Sequence, residues 1–252
     1  MKKTALLLSL STVLLAGTAQ ADTLLGIYLG ADAWQSSAEG SFAATDMRQS
    51  FNFNDKTQTS YYLTLEHPLP LLPNVRLQRN QLTSAGISDI SAGFTLAGAT
   101  FASNTEVSNQ LELSNTDYVL YYELFDNSLL SLDLGINAKH IKGHVLVTET
   151  AADGMSVRQN ISQIIPMLYT SAAVGLPLTG LEFFAGGSIV SYDGSRVYDG
   201  QAGISYAFMD NLVLDTTLKL GYRAVNMRLD DVDDLYADLT FNGVFAGIEI
   251  HF

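Results

Sequence analysis

Apolar side chains in this chain recur at every second position over runs of about ten residues, and only an extended strand turns that spacing into one oily face. In the clearest run Leu130, Leu132, Leu134, Ile136 and Ala138 point one way, while Ser131, Asp133, Gly135, Asn137 and Lys139 point the other. A second run sets Leu212, Leu214, Thr216, Leu218, Leu220 and Tyr222 against Asp215, Thr217, Lys219, Gly221 and Arg223. About ten tilted residues is the length a strand needs to cross a bilayer. Past the N-terminal segment nothing approaches about 18 consecutive apolar residues, so a helical membrane protein is excluded.

Strands over a water-soluble core would alternate in the same way, and other features decide between the two. Hydrophobic residues make up 47% of the chain and charged ones only 15%, against about 25% charged in a typical soluble domain. Something other than water must cover the apolar surface. The polar faces are rich in Gly, Ser, Thr and Asn with isolated charges, which suits a crowded interior. Aromatics gather near strand ends, at Tyr28 and Trp34, Tyr61 and Tyr62, Tyr121 and Tyr122, and Tyr206 and Phe208, as in the girdles where lipid meets water. The chain ends on a further alternating strand, with Val244, Ala246, Ile248, Ile250 and Phe252 on one face. Such a strand must pair with the first one, because unpaired backbone in hydrocarbon costs several kcal/mol per group. Ile248, Ile250 and Phe252 thus read as a barrel-closing tail.

The N-terminus reads as an export signal. Lys2 and Lys3 precede an apolar stretch from Thr4 to Gly17, and Ala19-Gln20-Ala21 supplies the small-x-small cleavage pattern. The stretch is shorter than the roughly 20 residues of a membrane span. The expected organisation is a cleaved signal over 1–21 and one barrel domain over 22–252. There is no cysteine, so stability rests on burial and backbone pairing. Removing Lys2 and Lys3 takes the formal net charge from −13 to −15, which argues against nucleic acid as a partner.

Short turns are expected near His67 to Asn74, Phe125 to Asn127, Leu176 to Gly180 and Met209 to Asn211. Longer outer loops are expected at Gln35 to Gln58, Thr83 to Asn109, Glu149 to Asn160, Asp193 to Ser195 and Leu229 to Asp234. Between them lie strands near 24–34, 59–67, 74–82, 111–125, 128–147, 161–176, 181–192, 196–208, 211–228 and 235–252. The fold class is therefore all-β, an antiparallel up-and-down transmembrane β-barrel of about ten strands, with eight and twelve as alternatives. The stretch Ile87 to Phe101 leaves the number open, since it reads either as a projecting hairpin or as two more strands.

Three places carry a family resemblance: the Ala19-Gln20-Ala21 signal ending, the hairpin from Asp117-Tyr118-Val119-Leu120-Tyr121-Tyr122-Glu123 through Asp126-Asn127 to Leu130–Gly135, and the Phe252 tail. Over its whole length the chain resembles the small, functionally uncharacterised outer-membrane β-barrel proteins of Gram-negative bacteria. The resemblance implies the barrel and the outer membrane, and brings no catalytic residue with it.

Among candidate sites, His140 and His144 continue the outward face of the Leu130 strand, with Glu149 and Asp153 as rim acids, and no pattern supplies a nucleophile. His67 and His251 lie at the turn end. Asp230, Asp231, Asp233 and Asp234 form an acidic loop whose spacing matches no EF-hand. No catalytic, cofactor or metal site is therefore assigned. The charges placed inside by parity are more informative, with Asp133, Lys139, Asp215, Lys219, Arg223 and Glu249 expected to form a lumen charge network. In it Lys139, Lys219 and Arg223 would pair with carboxylates such as Asp133 and Asp215. The expected role is structural, surface-interacting or a narrow passage. The alternatives are an outer-membrane hydrolase of lipid, lipopolysaccharide or peptide, and a small cation-preferring pore. Expected partners are outer-membrane lipid and lipopolysaccharide, and the barrel-assembly machinery through the last strand, with the protein as a monomer.

Overall fold

The computed structural model describes residues 25–127, 129–209, 214–232 and 234–252. The signal at 1–21, Leu212, Asp233 and the centre of the expected 209–211 turn lie outside these residues. In chain order the strands are β1 (Gly26–Ala43), β2 (Gln49–Phe51), β3 (Lys56–Glu66), β4 (Asn74–Asn80), β5 (Thr83–Asp89), β6 (Phe94–Leu96), β7 (Ala99–Phe101) and β8 (Glu106–Glu112). They continue as β9 (Asn115–Asp126), β10 (Leu130–Glu149), β11 (Ser156–Leu176), β12 (Leu181–Tyr192), β13 (Ser195–Met209), β14 (Asp215–Leu229) and β15 (Tyr236–His251).

These segments build a closed antiparallel barrel of ten staves. Two staves are each made of two strands. The chain breaks at Gln81–Leu82 between β4 and β5, and at Leu113–Ser114 between β8 and β9, yet the Leu113 N–H still donates to the Leu82 carbonyl at 2.8 Å. Closure comes from β15 against β1, in register from Tyr28↔His251 to Ala43↔Tyr236. The Phe252 N–H adds a bond to the Ile27 carbonyl at 3.0 Å. No edge is left between first and last staves, as a wall facing hydrocarbon requires.

Two expected outer loops are largely strand instead. β1 runs on to Ala43, and β5 and β8 occupy much of the segment assigned to the Thr83–Asn109 loop. The stretch around Phe94 to Phe101 is a small hairpin, β6 paired with β7, and adds no stave. Its Phe94, Leu96 and Phe101 are buried, so their alternation serves an interior and not a membrane.

That interior explains why these segments look like loops in the sequence. In the half of the barrel nearer the termini, apolar residues face out: Leu134, Ile136, Ile204, Leu218, Leu220 and Ile248 are all exposed. Further along the same strands the pattern reverses. Ile141, Val145 and Val147 on β10, Val225 and Met227 on β14, and Leu239 and Phe241 on β15 are buried inside. The outward positions there are polar, such as Lys142 on β10 and Asp238, Thr240 and Asn242 on β15. The far half thus has the apolar-in arrangement of a water-soluble sheet, and its core extends to Phe42, Phe51 and the β6–β7 hairpin.

The aromatic girdle also divides. Neighbouring residues of a strand point to opposite faces, so Tyr61, Tyr122, Tyr206 and Phe208 face out, whereas Trp34, Tyr62 and Tyr121 are buried inside.

Candidate functional site

A polar cavity of about 460 Å³ fills the terminus-end half of the barrel. Its mouth lies among Glu66, Glu123, Asp126 and Asp133, and its floor is a charged layer beneath the apolar core.

The floor is built by register. Lys139 on β10 stands directly across from Asp117 on β9, and its Nζ lies 2.8 Å from Asp117 Oδ1 and 3.0 Å from Asp199 Oδ2. Arg223 on β14 grips Asp199 with two parallel bonds, Nε to Oδ1 at 2.9 Å and Nη2 to Oδ2 at 2.8 Å. Neutral groups take the remaining valences. Arg223 donates to Ser60 Oγ at 2.9 Å and to Asn80 Oδ1 at 3.0 Å, and Asn137 donates to Asp117 Oδ1 at 2.7 Å. Two cations thus balance two carboxylates in a layer where the Lys139 side chain has 0% exposure. Charges this deep persist only when paired and hydrogen-bonded, and these are.

A second layer lies nearer the mouth. Lys219 Nζ sits 2.8 Å from Glu249 Oε2, and the Tyr62 hydroxyl donates to the same oxygen at 2.6 Å. The Arg76 guanidinium lies over the Tyr62 ring, 3.8 Å from its centroid. Gly30 makes this possible, since a Cβ there would run into the Tyr62 ring. At the mouth Tyr121 donates to Glu66, and Glu123 and Asp133 face each other across β9 and β10.

Of the expected network, Lys139 and Arg223 share one layer and Lys219 and Glu249 another. Asp133 and Asp215 are not the partners foreseen. Asp133 lines the mouth. Asp215 lies at the terminus end with 40% of its side chain exposed, its carboxylate 3.5 Å from His251 Nδ1. Asp117 and Asp199 hold the cations instead. Both have the lumen parity, as do Asn80 and Asn137, but parity carries no information about height along the barrel.

His144 faces out above the apolar belt, its Nδ1 3.0 Å from Arg158 Nη2. Desolvation, and then the Arg158 charge, hold its pKa below the ordinary histidine value. A neutral ring accepting from the guanidinium fits this contact.

No family model and no curated protein matches the chain. Among solved structures, the outer membrane protease OmpT from Escherichia coli is similar with a TM-score of 0.53 at 9% identity, over 94% of this chain and 99% of that one. Ail, the attachment invasion locus protein of Yersinia pestis, gives 0.35 at 10% identity, over 90% of this chain and 99% of that one. A FadL homologue of Pseudomonas aeruginosa gives 0.32 at 9% identity, over 90% of each chain. The first likeness shows the fold. The chain has the outer-membrane β-barrel fold.

Proposed function

We propose that the chain is a non-conducting barrel of the bacterial outer membrane, open to the periplasm and sealed toward the exterior, with a structural or surface-interacting role. One observation carries this reading: the lumen is not continuous. Its polar half ends at the Lys139–Asp117–Asp199–Arg223 layer, beyond which an apolar cluster fills the interior, with the buried Gln58, Ser88 and Asn109 tied into hydrogen bonds around it. The termini and the tight turns share the open end, the arrangement barrels show toward the periplasm. The signal-like N-terminus supports export. The tail residues Ile248, Ile250 and Phe252 fit recognition by the assembly machinery, and the single closed wall fits a monomer.

A hydrolase gains less support. OmpT is a protease by name, but in this chain His140 and His144 share the outward face of β10, and the contact seen for His144 is a guanidinium. A general base needs a reacting proton within about 3 Å.

Planar-bilayer recording of the purified protein tests the reading. Silence is expected; discrete cation-selective steps would contradict the sealed lumen and restore the small-pore alternative.

A further inference from the structure

Where the apolar belt ends, the outward face of β4, β9, β10 and β11 differs from the rest of the wall. Leu77, Tyr118, Ala138 and Pro166 lie side by side in one row, with Leu120, Ile136 and Leu168 in the row below. Ala138 is the small member between Tyr118 and Pro166, and the face is concave there, an apolar groove of about 550 Å³. Pro166 lacks an N–H to donate, and the β11–β12 ladder stops beside it at Leu168↔Ile189.

The rows immediately above the groove are basic. Arg79 lies in the Thr116–His140 row and donates to Thr116 Oγ1 at 3.2 Å. Lys142 follows one row up, and His144 and Arg158 lie beyond it in direct contact. Arg79, Lys142 and Arg158 are all exposed. Glu112, across from His144, is engaged by the Ser114 backbone N–H at 3.3 Å. On the opposite wall, above Tyr222 and Val244, the first outward residues are Ala224, Asn242, Thr240 and Glu39, and the exposed Arg228 that follows stands between Arg196 and Asp238, with no groove of that kind directly beneath it among the described residues. In a chain of net charge −13, three exposed fixed cations above one apolar groove are a local concentration of positive charge.

We propose that this face is a binding site for one phosphorylated, multiply acylated glycolipid of the outer leaflet, the lipid A class. Its phosphates would engage Arg79, Lys142 and Arg158, and one acyl chain would lie in the groove over Ala138. Charge complementarity selects the headgroup, since guanidinium and ammonium groups are the phosphate binders among side chains. The groove directly beneath the cations selects a ligand whose acyl chain hangs from that headgroup. The site rests on the membrane reading given above, because the groove must face the bilayer.

The test reinserts the full, delipidated protein into phosphatidylcholine vesicles doped with bisphosphorylated lipid A, then counts retained lipid by native mass spectrometry. One lipid A per wild-type chain is expected. The triple variant Arg79→Ala, Lys142→Ala, Arg158→Ala should retain it about tenfold less or worse, as loss of several charge-assisted contacts implies. Ala138→Leu should weaken retention with every cation intact, and dephosphorylated lipid A should be held about tenfold less by wild type. The variant Arg196→Ala, Arg228→Ala, which removes exposed arginines of β13 and β14 away from the groove, should behave as wild type. Equal retention by the triple variant, or of the dephosphorylated lipid, overturns the site while leaving the barrel standing. Failure to float with the vesicles at all overturns the membrane reading and the site with it.

Discussion

Lys139 shows at a single residue how this interior is held. Its ammonium is fully buried between Asp117 and Asp199. Removing one member of such a group strands a charge in a poorly solvated place, at a cost of about 3–5 kcal/mol. Lys139→Met is therefore expected to lower the thermal transition sharply, whether followed by circular dichroism or by heat-modifiable gel mobility. Lys219→Met should cost only about 1 kcal/mol, because Lys219 and Glu249 keep 14% and 20% side-chain exposure and water can replace the lost partner. Equal losses from both variants would contradict the layered picture. Parity in the sequence sorts the charges of each strand by face. It does not identify the pairs. Lys139 and Asp133 lie six positions apart on one strand, about 20 Å at the rise of a β-strand, and so cannot meet. Lys139 meets Asp117 because the β9–β10 register sets them opposite each other, and register is fixed by turns and breaks that alternation does not show.

At the scale of the strand, the instructive feature is the reversal of polarity partway along β10, β14 and β15. The belt over Leu130 to Ala138 and over Leu214 to Tyr222 was legible because one phase of alternation holds over a bilayer's width. The far half resembles loop in the sequence because its alternation resumes in the opposite phase, with Val145 and Val147 inside where Leu134 and Ile136 are outside. A reading tuned to one phase discards the other. The reversal makes a paired expectation. Leu220→Arg, on the outward face, should destabilise the inserted barrel by about 2–4 kcal/mol. Val147→Asp has the opposite parity and should be at least as damaging, by placing an unpaired carboxylate in an apolar core. Limited proteolysis after Val147→Asp should cut the β5–β8 region while the membrane half stays protected. A variant cut throughout would show that the two halves unfold together. Phe101→Ala, in the buried hairpin, should cost about 3–5 kcal/mol, since it loses the ring's burial and leaves a cavity in its place.

The whole molecule is one wall in two solvents. Its terminus half turns oily faces to the outside and charges to an enclosed polar cavity; its far half turns polar faces outward around an apolar core. Closure of β15 on β1 lets one barrel do both, and the apolar core lies beyond the charged floor of the cavity. The absence of cysteine permits a direct reading by single-cysteine spin labels along β14 and β15 in reconstituted protein, each label scored for contact with oxygen in lipid or a nickel chelate in water. Labels at Leu218, Leu220 and Ile248 are expected to meet oxygen, and those at Asp238, Thr240 and Asn242 to meet nickel, with the change falling just beyond Tyr222 and Val244. Nickel contact at Leu220 and Ile248 would contradict the account, because those faces would then lie in water and no bilayer would surround the barrel.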